Sequence, residues 1–143
     1  MRWLIGAALG CLLLAACGTA TDPTPSVLDC GVEDQQMGTN LNQEGRLCLL
    51  NAFEDGRAAR FVSRMTSIEG DPIVRTYLVV SATEVQIEHD GSRDRFGGTI
   101  EVLRCPRIVP VADWNRVMNE EMRAEEVFVE DSCEVISSRQ AGG

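Results

Sequence analysis

The chain has 143 residues, with 22 acidic against 13 basic side chains, one histidine and a formal charge of −9; every basic residue is arginine. With 44% hydrophobic and 24% charged residues the composition is that of a globular protein, and a chain of this length builds one domain around a single core. The acidic balance argues against a nucleic-acid binder, which needs a basic face, and offers nothing for electrostatic docking on anionic lipid.

Residues 1–16 read Met-Arg-Trp, an apolar run over 4–14, and the small pair Ala15-Ala16. One positive charge, a short apolar stretch and a small-residue exit describe a secretory signal peptide. The run is shorter than the about 20 residues that span a bilayer core of ~30 Å. At its end Leu14-Ala15-Ala16-Cys17 resembles the lipobox of bacterial lipoproteins. That resemblance implies removal of residues 1–16 and a thioether-linked diacylglycerol on Cys17, with fatty acyl chains such as palmitate. Small residues let the peptidase draw an extended backbone close, and the thiol accepts the lipid. Each buried methylene contributes ~0.8 kcal/mol, so two or more acyl chains hold firmly. Gly18 follows where an aspartate is absent, which is similar to the outer-membrane sorting choice of Gram-negative lipoproteins. The expected location is the bacterial cell envelope: the outer membrane of a Gram-negative cell, or otherwise the exterior of the cell membrane.

Residues 17–29 form a lipidated tether in which Pro23 and Pro25 favour extended backbone. A single domain is expected over residues 30–136 and a flexible tail over 137–143. The domain holds Cys30, Cys48, Cys105 and Cys133. An even count in an exported chain points to two disulfides. Three connectivities are open; Cys30–Cys48 with Cys105–Cys133 is preferred because each closes a short loop. There is no Cys-x-x-Cys pair and the one histidine is remote in sequence, so neither a metal site nor a cofactor is expected.

Residues 43–56 carry a helical pattern. Leu47, Cys48, Leu49, Leu50, Ala52 and Phe53 span a wide apolar arc, and Glu44, Asn51 and Asp55 form the polar stripe. Asn42 is the expected N-cap, Gly56 the left-handed stop, and Gly45 weakens the first turn. From Ala59 the period becomes two: Phe61, Ser63 and Met65 alternate with Val62, Arg64 and Thr66. A β-branched run over 73–80 follows, then residues 84–89 with Val85 and Ile87 inward, and residues 99–105. Short turns between these runs predict an antiparallel meander. Asp113 caps a second helical pattern with Trp114, Val117, Met118 and Met122 on one face, and Val127 and Val129 alternate before Cys133. The expected architecture is α+β: an N-terminal helix packed on a four-stranded antiparallel meander, plus a C-terminal helix, stapled by disulfides. Its order is similar to cystatin-like architectures in topology alone.

Candidate chemistry is thin. Asp90, Ser92, Asp94 and Glu101 fall at positions 1, 3, 5 and 12 of an EF-hand spacing, but Arg95 stands where glycine allows the sharp turn. A surface loop whose aspartates accept backbone N–H groups explains these residues better, with Gly97 and Gly98 supplying positive φ. His89 at a strand end is the one imidazole, a candidate proton shuttle beside Asp90. Glu69 and Asp71 sit in a Gly-Pro turn, where a catalytic carboxylate pair competes with a backbone-setting role. Neither a nucleophile elbow nor a phosphate loop is present. The order Glu69-Gly-Asp-Pro-Ile73, Asp90 to Asp94-Arg-Phe-Gly97 and Cys105 resembles small exported bacterial domains without an assigned activity, and implies none here. The favoured function is a non-catalytic envelope lipoprotein that binds a protein or cell-wall component through its exposed strand face or the 90–98 loop. The alternative is a small exported hydrolase or ligand-binding enzyme using His89 with a nearby carboxylate.

Overall fold

The alternating run over residues 59–105 folds as four antiparallel strands, but these are the middle of a larger sheet. A computed structural model describes residues 26–35, 41–96, 98–111 and 127–140. In chain order these form β1 (Leu28–Gln35), α1 (Gln43–Glu54), β2 (Ala59–Thr66), β3 (Pro72–Ser81), β4 (Glu84–Asp90), β5 (Thr99–Cys105), β6 (Arg107–Pro110), β7 (Phe128–Asp131) and β8 (Glu134–Gln140). Six strands make one sheet in the order β1-β2-β3-β4-β5-β8, and β6 pairs with β7 in a separate ribbon. The expected signal peptide over residues 1–16, Cys17 and the second helical pattern of Asp113, Trp114, Val117, Met118 and Met122 lie outside the described residues. Among the described residues, no helix is long and apolar enough to cross a membrane.

The expected α+β arrangement is therefore corrected. The described residues are mostly β, in a six-stranded mixed sheet. The helix is not the first element: β1 precedes it and pairs parallel to β2, so α1 is the crossover of a β-α-β unit. The likeness to a cystatin-like order goes with the meander. β1 escapes the sequence pattern because its alternation is broken: Gly31 has φ +91° and the pairing slips between Asp29 and Val32. It also starts at Leu28, inside the expected tether. At the other edge β8 takes residues 134–140 in antiparallel pairing with β5, where a frayed tail was expected from Ser137. Every residue of β8 is exposed, so no apolar alternation announces a strand held by backbone hydrogen bonds.

Asn42 caps α1, its side chain accepting from the Gly45 N–H at 2.9 Å, and Gly56 follows the helix with φ +65°. Gly45 is required rather than tolerated. A Cβ there would lie 2.6 Å from the Cys30 carbonyl oxygen and 2.6 Å from the Phe61 ring, so its absence lets the first turn sit directly on β1 and β2. The disulfide Cys30–Cys48 ties β1 to α1, and Cys105–Cys133 ties the end of β5 to the link between β7 and β8. Leu49, Leu50, Ala52 and Phe53 bury against Ala59, Phe61, Tyr77, Val79 and Val85, while Ile108 and Phe128 of the ribbon close the same core. Helix and ribbon thus share one side of the sheet. Among the described residues, no element packs on the other side.

Candidate functional site

Side chains alternate across a strand, so residues in register on neighbouring strands form rows on one face. The helix-covered face carries three such rows. Ala59, Val79, Val85 and Cys105 make the first, wholly buried, and Phe61, Tyr77, Ile87 and Leu103 make the second. The third is polar across six strands: Glu33, Ser63, Arg75, His89, Glu101 and Ser138. The same period that builds the core therefore carries a line of ionisable groups beside it. What lies above each group decides its role.

At the β1 end the row is closed. Glu33 is 2% exposed. One carboxylate oxygen accepts from Arg46 Nη2 at 2.5 Å and Gln35 Nε2 at 2.7 Å, the other from Arg46 Nε at 2.9 Å and the Asn42 N–H at 3.1 Å. Burial opposes its ionisation, but hydrogen bonds from Arg46 and Ser63 outweigh this and hold its pKa below 4.5. The Arg46 guanidinium lies 5.6 Å from the centroid of the Phe128 ring, and Tyr77 meets that ring edge-on at 5.7 Å. With four bonds on one carboxylate, this end is structural.

In the middle, β7 hangs Glu130 over the row. Tyr77 Oη donates to Glu130 Oε1 at 2.7 Å, and Arg75 Nη1 approaches the same oxygen at 3.6 Å. Burial first, then the charge of Glu130, pushes the Tyr77 phenol far above its usual range, so it stays a donor. Arg75 Nε donates to Nδ1 of His89 at 3.2 Å. That bond occupies the single lone pair of the neutral imidazole and places its proton on Nε2. Burial first, then the Arg75 charge, lowers the pKa of His89 below 6.5, against Glu101 and Asp90.

At the β5 end the row is open. A cavity of about 350 Å³ lies between β7 and the sheet, with Arg75, His89, Glu101 and Glu130 on its polar side. Ile87, Leu103 and the disulfide-bonded Cys133 form its apolar side. Glu101 has one side-chain bond, a long one from Ser138 Oγ at 3.4 Å, and no ion-pair partner among the described residues.

Asp90, the carboxylate expected beside His89, lies elsewhere, as do Asp94, Glu69 and Asp71. Asp90, its chain neighbour, points to the opposite face and accepts from the Ser92 N–H at 2.9 Å; Asp94 accepts from the Phe96 N–H at 2.8 Å. Glu69 and Asp71 do not act as a pair. Asp71 receives Arg95 Nε at 2.9 Å and Nη2 at 2.9 Å, while Glu69 offers Arg95 only its backbone oxygen at 3.2 Å. Arg95 draws the Asp71 carboxyl below its ordinary value of 3.8. The EF-hand positions are dispersed: Asp90 and Asp94 serve loop turns, Glu101 lies in the polar row, and the described residues contain no grouping of three metal-ligating side chains. Gly98 serves close approach to the Gly91 carbonyl and is not among the positive-φ glycines.

Arg75 and Glu130 are the site residues that sequence reasoning missed. For Arg75 the signal is present: it stands two residues before Tyr77 and four before Val79, at the inward parity of a β-branched run. A charge at that parity marks a partner above the sheet. For Glu130 no comparable signal exists, because the ribbon's placement is tertiary. In comparisons with known proteins, no family model, curated protein or solved structure matches this chain.

Proposed function

We propose that this chain is a bacterial envelope lipoprotein, with acyl chains on Cys17 holding it at a membrane surface and the domain acting as a non-catalytic binding module. The reading of the domain is carried by one observation, the bond from Arg75 Nε to His89 Nδ1. A general base needs a free lone pair, with its other nitrogen oriented by a carboxylate. His89 has its lone pair occupied by a guanidinium instead, and every described cysteine is in a disulfide. What the domain offers is a cavity of small-molecule size with a few converging polar groups on an apolar wall. Its ligand comes from the envelope, as a protein or a cell-wall component.

The anchor is supported by Leu14-Ala15-Ala16-Cys17 behind an apolar run, and two disulfides suit an exported chain. The outer membrane is the destination in a Gram-negative cell, given Gly18. Imidazole 15N shifts at neutral pH test the domain reading. A protonated Nε2 with an accepting Nδ1 is expected, whereas Nδ1–H donating to a carboxylate would return the hydrolase alternative. Fractionation of cells expressing Cys17→Ser tests the anchor: the variant leaves the membrane fraction, and unchanged partition refutes the lipid.

A further inference from the structure

We propose that the cavity between β7 and the sheet binds the free amino terminus of a peptide whose first side chain is aliphatic, an inference that rests on the domain being a binding module. Glu130 is engaged by Tyr77 and Arg75, so those two charges offset one another. His89 is neutral when Nδ1 accepts from Arg75. Glu101 remains, with no ion-pair partner among the described residues. Among the described residues the cavity thus presents one uncompensated negative charge, which suits a monocation.

The kind of cation follows from the neighbours. Calcium and magnesium ask for six or more oxygen ligands and zinc for three or four His, Cys or carboxylate ligands, whereas Glu130 is already taken by Tyr77 and Arg75 and the described residues contain no grouping of three metal-ligating side chains. A primary ammonium needs only a carboxylate and hydrogen-bond acceptors. Directly across the β4–β5 pair, His89 holds a proton on Nε2 that has no partner among the described residues. It calls for an acceptor oxygen close to the ligand's ammonium. Side chains paired across strands are about 5 Å apart at Cβ, a spacing bridged by an α-ammonium and the carbonyl next to it. Ile87, Leu103 and the disulfide-bonded Cys133 then receive an aliphatic side chain.

The probes are the tripeptide Leu-Gly-Gly, its N-acetyl form, and isopentylamine, which keeps the ammonium and side chain without the carbonyl. Each is titrated calorimetrically into the detergent-solubilised full chain at neutral pH. Leu-Gly-Gly is expected to bind saturably; acetylation or Glu101→Gln each weakens binding at least ~10-fold, the scale of a hydrogen bond to a charged group, and loss of the carbonyl weakens it ~5-fold, the scale of a neutral one. A thermal melt of Glu101→Gln matching the parent shows that the fold is intact. Equal affinity for free and acetylated peptides, or no heat from any probe, overturns the ligand class; the 15N pattern of His89 then still reports separately on the non-catalytic reading. Shortening of Leu-Gly-Gly by the parent chain but not by Glu101→Gln would keep the ligand class and overturn the non-catalytic reading.

Discussion

Arg75 and His89 face each other across the β3–β4 pair, and Nε of the arginine donates to Nδ1 of the histidine at 3.2 Å. Protonating His89 destroys that acceptor and sets two cations side by side.

A pH dependence of stability follows. Burial and Arg75 depress the pKa of His89 in the fold, with Glu101 and Asp90 opposing. The unfolded chain, near 6.5, therefore takes up the proton first. Stability from this source is complete above about pH 6.5 and is lost as pH falls from there through the lower folded value. Denaturant titrations from about pH 7.5 to 5 show this decline in the parent and a flatter profile in His89→Gln. A parent profile without slope over that interval contradicts the Arg75–His89 assignment. Below about pH 4.5, Glu33 adds a second loss of the same sign, because its folded pKa is also lowered.

The buried pair Glu33–Arg46 makes a different prediction. Arg46→Met leaves a carboxylate 2% exposed without its main partner, and breaking such a pair costs about 3–5 kcal/mol. Replacing both residues with methionine recovers most of that loss, because no charge is left buried. Denaturant unfolding of the single and double variants checks this. A double variant as unstable as the single one would show that the pair's packing matters more than its charge.

Gly45→Ala separates propensity from packing. Alanine improves an exposed helix by ~1 kcal/mol, yet overpacking costs about 1–3 kcal/mol, and a backbone carbonyl is one obstacle at 2.6 Å. A net destabilisation of about 0–2 kcal/mol is expected from these opposing effects. A more stable variant would mean that α1 can move off β1 and β2.

Asp71 and Arg95 are 24 residues apart in sequence and pin the loop after β4 to the turn before β3. Asp71→Asn replaces charge-assisted bonds with neutral ones, and the Arg95 amide, which donates to Asp71 at 3.3 Å, is expected to exchange ~10-fold faster. Hydrogen exchange over residues 91–96 is the readout. Unchanged protection would show that the turn bonds of Asp90 and Asp94 suffice alone.

What the sequence disclosed was local. The helix that starts at residue 43 with its Asn42 cap and the four strands β2 to β5 follow from periodicity and capping, and the two disulfides are the pairing that loop length favoured among the three left open. What it concealed was non-local or backbone-borne. β1 has Asp29, Glu33 and Asp34 in eight residues and is held by Cys48 and Arg46 from another element. β8 is solvent-exposed throughout, and β7 of the ribbon is bounded by Val127 and Ser132, both with positive φ. Of the site, His89 stood out as the one imidazole, but Asp90, its expected partner, was excluded by the parity of the strand. Its true neighbours, Arg75 and Glu101, become evident only when the register is known.

The proposed lipid anchor is tested most directly by intact mass spectrometry of the protein recovered from the cells that make it. A chain beginning at Cys17 and heavier by a diacylglycerol-sized adduct is the expected result. A chain that retains residues 1–16, or that begins at Cys17 with an unmodified thiol, would contradict it.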